Sequence, residues 1–136
     1  MNKPNDTIVA TEVVGLVNEW KSEMYDAGIN YTNGLNRLQE INFAPNLGSA
    51  AYSSKAERII SIDEKYREAD EMVLRIIIWH ELGHYVLLMK HSDTGIMQPK
   101  LNDTQYYYDT WEGLKAHYIN SYQKTLLFNG ALEQYN

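Results

Sequence analysis

Apolar residues recur at steps of three and four from Ile8 to Trp20 (Ile8, Val9, Val13, Leu16, Val17, Trp20), while Glu12, Asn18, Glu19 and Lys21 fall mostly elsewhere. That period predicts an amphipathic helix, capped by Asp6 or Thr7, running to about Tyr25 and ended by Asp26-Ala27-Gly28. Residues 1–6 read as a flexible tail. Between residues 29 and 62 the pattern shortens into strands and turns. Residues 29–31 read as one strand and Asn33-Gly34 as a turn. Residues 38–43 alternate, with Ile41 and Phe43 on one face. Residues 45–48 form a loop, residues 49–53 a short run of small residues around Tyr52, and residues 57–63 a buried strand carrying Ile59, Ile60 and Ile62. From about Ala69-Asp70 to Met89 the chain is apolar nearly all round, which predicts a buried helix. Glu64, Glu68, Asp70 and Glu71 near its start suit the helix dipole. Residues 91–104 are irregular, and residues 104–128 read as a tyrosine-rich helix. No repeat, low-complexity tract or linker interrupts this order.

The chain has 136 residues, enough for one domain with a real core. Its net charge of −6 and its scattered lysines and arginines argue against nucleic acid as a partner. The absence of cysteine excludes disulfides, thiolate ligands and a cysteine nucleophile. No run is long and apolar enough to span a membrane. The N-terminus lacks the basic-then-apolar run of a signal peptide, so the expectation is a cytoplasmic protein, or a secreted one if a leader has been removed. Oligomeric state is not legible.

Inside the buried helix lies His80-Glu81-Leu82-Gly83-His84. Two histidines four residues apart share a helix face and can reach one metal ion, and the intervening glutamate can take a proton from water at that metal. A buried helix carrying three such groups needs partners for them, and a metal supplies them economically. A catalytic zinc takes three protein ligands and leaves one position open. His91, Asp93, Glu112 and His117 are the candidates for the third. Were the helix to run on, His91 would lie about 10 Å further along its axis than His84. It becomes a ligand only if the chain turns back after about Leu88 or Met89.

The run from His80 to Pro99 resembles the metzincin clan of zinc endopeptidases, whose H-E-x-x-H-x-x-G-x-x-H is followed by a methionine turn. Gly95-Ile96-Met97-Gln98-Pro99 looks like the turn of the matrixins. The strands upstream resemble the matrixin strand, short edge strand and following strand that precede the active-site helix. Two departures stand out. The family's helix-ending glycine falls at Leu87, and six residues rather than five separate His84 from the next histidine, leaving Lys90 at the usual ligand position. One extra residue in the turn, with His91 as ligand, repairs both, and this chain is similar to small metalloproteases of Bacteroidetes-type bacteria with that spacing.

The resemblance implies an α+β, zincin-like fold: one catalytic domain over residues 1–136, built from a small twisted mixed sheet with an N-terminal helix packed on it, an active-site helix beneath and a C-terminal helix. It implies a zinc metalloendopeptidase acting on peptide or protein substrates. Zn2+ would be held by His80, His84 and His91, with Glu81 as the catalytic base, Met97 as an apolar floor and the edge strand near Ala50-Ala51-Tyr52 pairing with an extended peptide. Matrixins block their zinc with a propeptide cysteine, which this chain lacks. Tyr106, Tyr107 and Tyr108 read as packing, and His117 as a helix-surface residue. Two alternatives stay open: a gluzincin-type regulatory metallopeptidase with Glu112 as distal ligand, and a catalytically silent, zinc-stabilised binding protein.

Overall fold

The computed structural model describes residues 6–135, with side chains through residue 127; of the expected tail over residues 1–6, all but Asp6 lies outside them. The chain is mixed α+β and divides after Lys90 into two compact units.

The first unit is built on a four-stranded mixed sheet of order β1-β2-β4-β3, from β1 (Ile8–Val9), β2 (Glu40–Ala44), β3 (Ala51–Ser54) and β4 (Ile59–Asp63). β1, β2 and β4 run parallel, and β3 lies antiparallel to β4 at one edge. Register places Ile41 beside Ile60 and Phe43 beside Ile62, with Ala51 and Ser53 opposite Ile62 and Ile60 across the hairpin. Paired strand residues project to the same face, so this face is apolar except at Ser53. The other face carries Asn42 and Ser61, whose side chains hydrogen-bond at 2.7 Å.

Ile8 and Val9 pair with β2 instead of opening a helix. A 3-10 turn over Thr11–Val13 then leads into α1 (Val14–Asp26), six residues or so later than the periodicity predicts. Thr7 caps nothing; its hydroxyl donates to the carbonyl oxygen of Leu38 at 2.8 Å and so ties β1 to the chain before β2. Residues 29–31 are not a strand, and Asn33-Gly34 lies within a one-turn helix, α2 (Thr32–Asn36). Gly34 is required there by a close approach, because a Cβ at that position would sit 2.8 Å from Val86 Cγ1 and 3.0 Å from the Val86 carbonyl oxygen.

α3 (Glu71–Tyr85) begins where the acidic run places it, with Asp70 accepting a hydrogen bond from the Met72 amide at 2.8 Å. Its buried residues surround the axis, Leu74, Ile78 and Leu82 among them. α3 packs against β3 and β4 on one side and α1 on another. α1 lies against α3. Buried Trp20 and Met24 belong to α1, and Arg75 of α3 clasps Glu19 of α1 through two hydrogen bonds of 2.7 and 3.0 Å.

The second unit holds an irregular segment followed by α4 (Thr104–Tyr135). Its segment folds into a compact turn, in which the Ser92 amide donates to Met97 O at 3.1 Å and the Gln98 amide to Gly95 O at 3.2 Å. Among the described residues, no helix is long and apolar enough to cross a membrane.

Candidate metal centre

The metal question turns on how α3 ends. Val86 closes it with an ordinary bond to Leu82 O, but the next bonds reach further back: Leu87 N to Leu82 O at 3.3 Å and Met89 N to Gly83 O at 2.9 Å. The last turn is thus wider than an α-turn. Leu88 makes the reversal in the left-handed region, at φ 59°, and lies 64% exposed. Glycine is the usual residue for this conformation. Here a leucine takes it, one position after Leu87, where the resemblance would place the glycine. The reversal falls where a ligand role for His91 requires it.

His80 and His84 stand one turn apart on α3, with their Nε2 atoms 3.1 Å from each other. The Nδ1 of His84 lies 2.8 Å from the carbonyl oxygen of Met89. A carbonyl only accepts, so Nδ1 carries the proton and the Nε2 of His84 keeps its lone pair. A backbone carbonyl behind a ligating imidazole is a common outer-shell arrangement at metal sites. His91 completes the group: one ring nitrogen from each of His80, His84 and His91 lies within 4.8 Å of the others.

These residues fit zinc. Two nitrogens on one tetrahedral Zn2+ are roughly 3.3 Å apart, given bonds of about 2.0–2.1 Å, close to the 3.1 Å between His80 and His84. His91 is exposed. Among the described residues the donor set consists of three imidazoles and no carboxylate, the set of a zinc site that keeps a fourth position for water.

Glu81 is 7% exposed. Burial pushes its carboxyl up to about 7, and a hydrogen bond from the Ser53 side chain opposes that rise. Ser53 is the polar exception on the sheet face that α3 covers. Neither it nor the Met89 carbonyl was legible beforehand. One serine in a small-residue strand has no distinguishing pattern, and a backbone acceptor has no sequence signature.

The other candidates are not part of this group. Glu112 is on α4, its carboxylate 82% exposed and paired with Lys115 at 3.2 Å. Asp93 is exposed in the turn. His117 is exposed on α4, as expected of a surface residue, and packs on the turn: a Cβ at Gly95 would lie 2.7 Å from its Nδ1. Met97 is buried at 3% exposure. Tyr107 is buried and its hydroxyl accepts from the Asn102 amide at 2.6 Å, whereas Tyr106 and Tyr108 are exposed.

No family model, curated protein or solved structure matches this chain, so the site's chemistry rests on its own residues.

Proposed function

We propose that the chain is a zinc-dependent metalloendopeptidase of the metzincin type, with His80, His84 and His91 as ligands and Glu81 as general base. The observation that carries this reading is the convergence of three imidazole nitrogens within 4.8 Å beside a buried, hydrogen-bonded glutamate. The zincin-like fold belongs to the same proposal. It is supported by the mixed sheet with a short antiparallel strand at its edge, followed, after a 3-10 turn over Glu64–Tyr66, by the helix that carries the motif.

Zinc in this site would supply Lewis acidity, lowering the pKa of a water towards about 7 and polarising a carbonyl. The remaining chemistry falls to the chain. Glu81 takes the proton from the attacking water and passes it to the leaving amine. Ser53 fixes the carboxyl, so that a single orientation meets the water. The His84–Met89 contact holds one ring with its lone pair turned towards its neighbour. The unpaired edge of β3 offers backbone donors and acceptors to an extended peptide.

The test is metal content by mass spectrometry on wild type and His91→Ala, followed by a peptide-library cleavage screen with Glu81→Gln as control. About one zinc per chain, lost in His91→Ala, with cleavage abolished in Glu81→Gln, is the expected result. Zinc kept by His91→Ala and lost by Glu112→Ala would transfer the reading to a gluzincin-type site. Zinc without cleavage by the wild type would point to a silent binding protein.

A further inference from the structure

Three of the chain's cations are engaged with acids: Arg67 with Glu12 and Glu64, Arg75 with Glu19 and Glu71, Lys115 with Glu112. A different set collects around one cavity of about 290 Å3 in the first unit, lined by Gly34, Arg37, Lys55, Arg58 and Tyr85. Among the described residues, Arg37, Lys55 and Arg58 make no ion pair. Three cations on one small cavity, in a chain of net charge −6, repel one another, and no ion pair among the described residues offsets this.

The cavity is also built rather than incidental. Among the described residues, Arg58 is one of three non-glycine residues in the left-handed region, at φ 61°, a conformation that costs an L-residue free energy. That backbone aims its side chain so that Nε donates to the carbonyl oxygen of Arg37 at 2.7 Å. Tyr85, buried beneath, donates its hydroxyl to the same oxygen at 3.0 Å. One carbonyl therefore anchors both. With Nε held, the guanidinium plane is fixed and its two terminal nitrogens remain for a ligand. Arg37 comes from the end of α2 and Lys55 from the β3–β4 hairpin, so the three charges reach the cavity from separate segments.

We propose that this cavity binds a phosphate group, carried either by a small molecule or by a phosphorylated side chain. Three positive charges match a dianion better than a carboxylate, and a guanidinium presenting two parallel N–H donors matches the spacing of phosphate oxygens. The volume is at the small end of ligand cavities, which suits a single phosphorylated group. This site shares no residue with the metal centre and does not depend on the peptidase reading.

The experiment is an NMR titration of the 15N-labelled full chain at fixed ionic strength. Inorganic phosphate is the first probe; a phosphoserine peptide, with its unphosphorylated twin, is the second. Saturable shifts at the amides of Gly34, Arg37, Lys55 and Arg58 are expected for a phosphate probe, and none for acetate or the unphosphorylated peptide. Arg58→Gly removes the guanidinium while relieving the left-handed backbone, so the fold stands, and affinity is expected to fall about tenfold. Lys55→Gln, in an exposed turn, provides a second variant with a smaller loss. Tighter binding of inorganic phosphate would assign a small-molecule ligand, and tighter binding of the phosphopeptide a protein one. Shifts that never saturate, that are confined to His80, His84 and His91, or that survive both variants unchanged would overturn the proposal.

Discussion

His84 donates through Nδ1 to the carbonyl oxygen of Met89, 2.8 Å away, although Met89 lies beyond the end of the helix that carries the histidine. The contact exists because Leu88 reverses the chain at φ 59° and returns the Met89 carbonyl to the ring. The reversal thus sets both the tautomer of one imidazole and the starting point of the segment that supplies His91.

Leu88→Gly should stabilise the protein. Leucine pays about 1–2 kcal/mol for the left-handed conformation, and glycine's greater freedom in the unfolded chain offsets part of the relief. A net gain of about 0.5–1 kcal/mol in chemical denaturation is expected, with zinc content unchanged. Leu88→Val, branched at Cβ, should lose stability and weaken zinc retention together. Equal stability of all three proteins would mean that the turn carries no strain.

Ser53→Ala should separate base positioning from metal binding. The side chain bonds the Glu81 carboxyl from a neighbouring strand, and Ser53 is not one of the three histidines of the metal group. Loss of a hydrogen bond to a charged group corresponds to about tenfold or more in turnover. Zinc content and melting temperature should stay near wild type, and Ser53→Thr should restore most activity. A drop in zinc content in Ser53→Ala would show that the residue acts on the fold of the site instead.

The Glu19–Arg75 clasp should contribute to stability more than a typical surface pair. Arg75 is only 14% exposed and binds Glu19 through two nitrogens. Arg75→Met should cost about 1–2 kcal/mol. A double-mutant cycle with Glu19→Gln should give a coupling of about 1 kcal/mol, falling as salt is raised. Zero coupling would assign the whole effect to packing of the arginine stem.

Asp63 gives the pH dependence a definite sign. Its carboxylate accepts from the amides of Lys65 and Leu47, each at 3.0 Å, and these two bonds hold its pKa below the ordinary value of 3.8. The folded chain therefore favours the charged form. This stabilisation is complete above the unfolded pKa and is lost as pH falls through the lower, folded one. Asp63→Asn should be less stable than wild type at neutral pH, and the gap should narrow below about pH 4. A constant gap across that range would rule out the carboxylate's charge as its source.

What the sequence disclosed follows the strength of each signal. α3 was legible because fifteen residues of nearly unbroken apolar character, an aspartate cap and acidic neighbours all agree. The pairing of His80 with His84 follows from helical spacing alone. β1 escaped because two residues cannot display a period, and Ile8 and Val9 happened to continue the spacing of α1. α2 escaped because a helix this short forms through packing, not propensity. Gly34, which reads as a turn former, is there to let Val86 approach. Strand starts shifted by two residues in β2, β3 and β4, since pairing partners, not local composition, decide where a ladder begins.

The sheet's connectivity also fixes an order of assembly. Each parallel pair joins strands with another element between them: α1 and α2 separate β1 from β2, and β3 separates β2 from β4. Only the β3–β4 hairpin pairs neighbours in the chain. Loop-closure entropy falls hardest on the distant pairs, so the hairpin is the natural starting point and β1 the last strand to dock. The region that brings Ser53 to Glu81 is therefore among the first to consolidate. The amides of Ile8 and Ala10, bonded to Gln39 and Ile41, are expected to exchange with solvent sooner than the ladder amides of the β3–β4 hairpin.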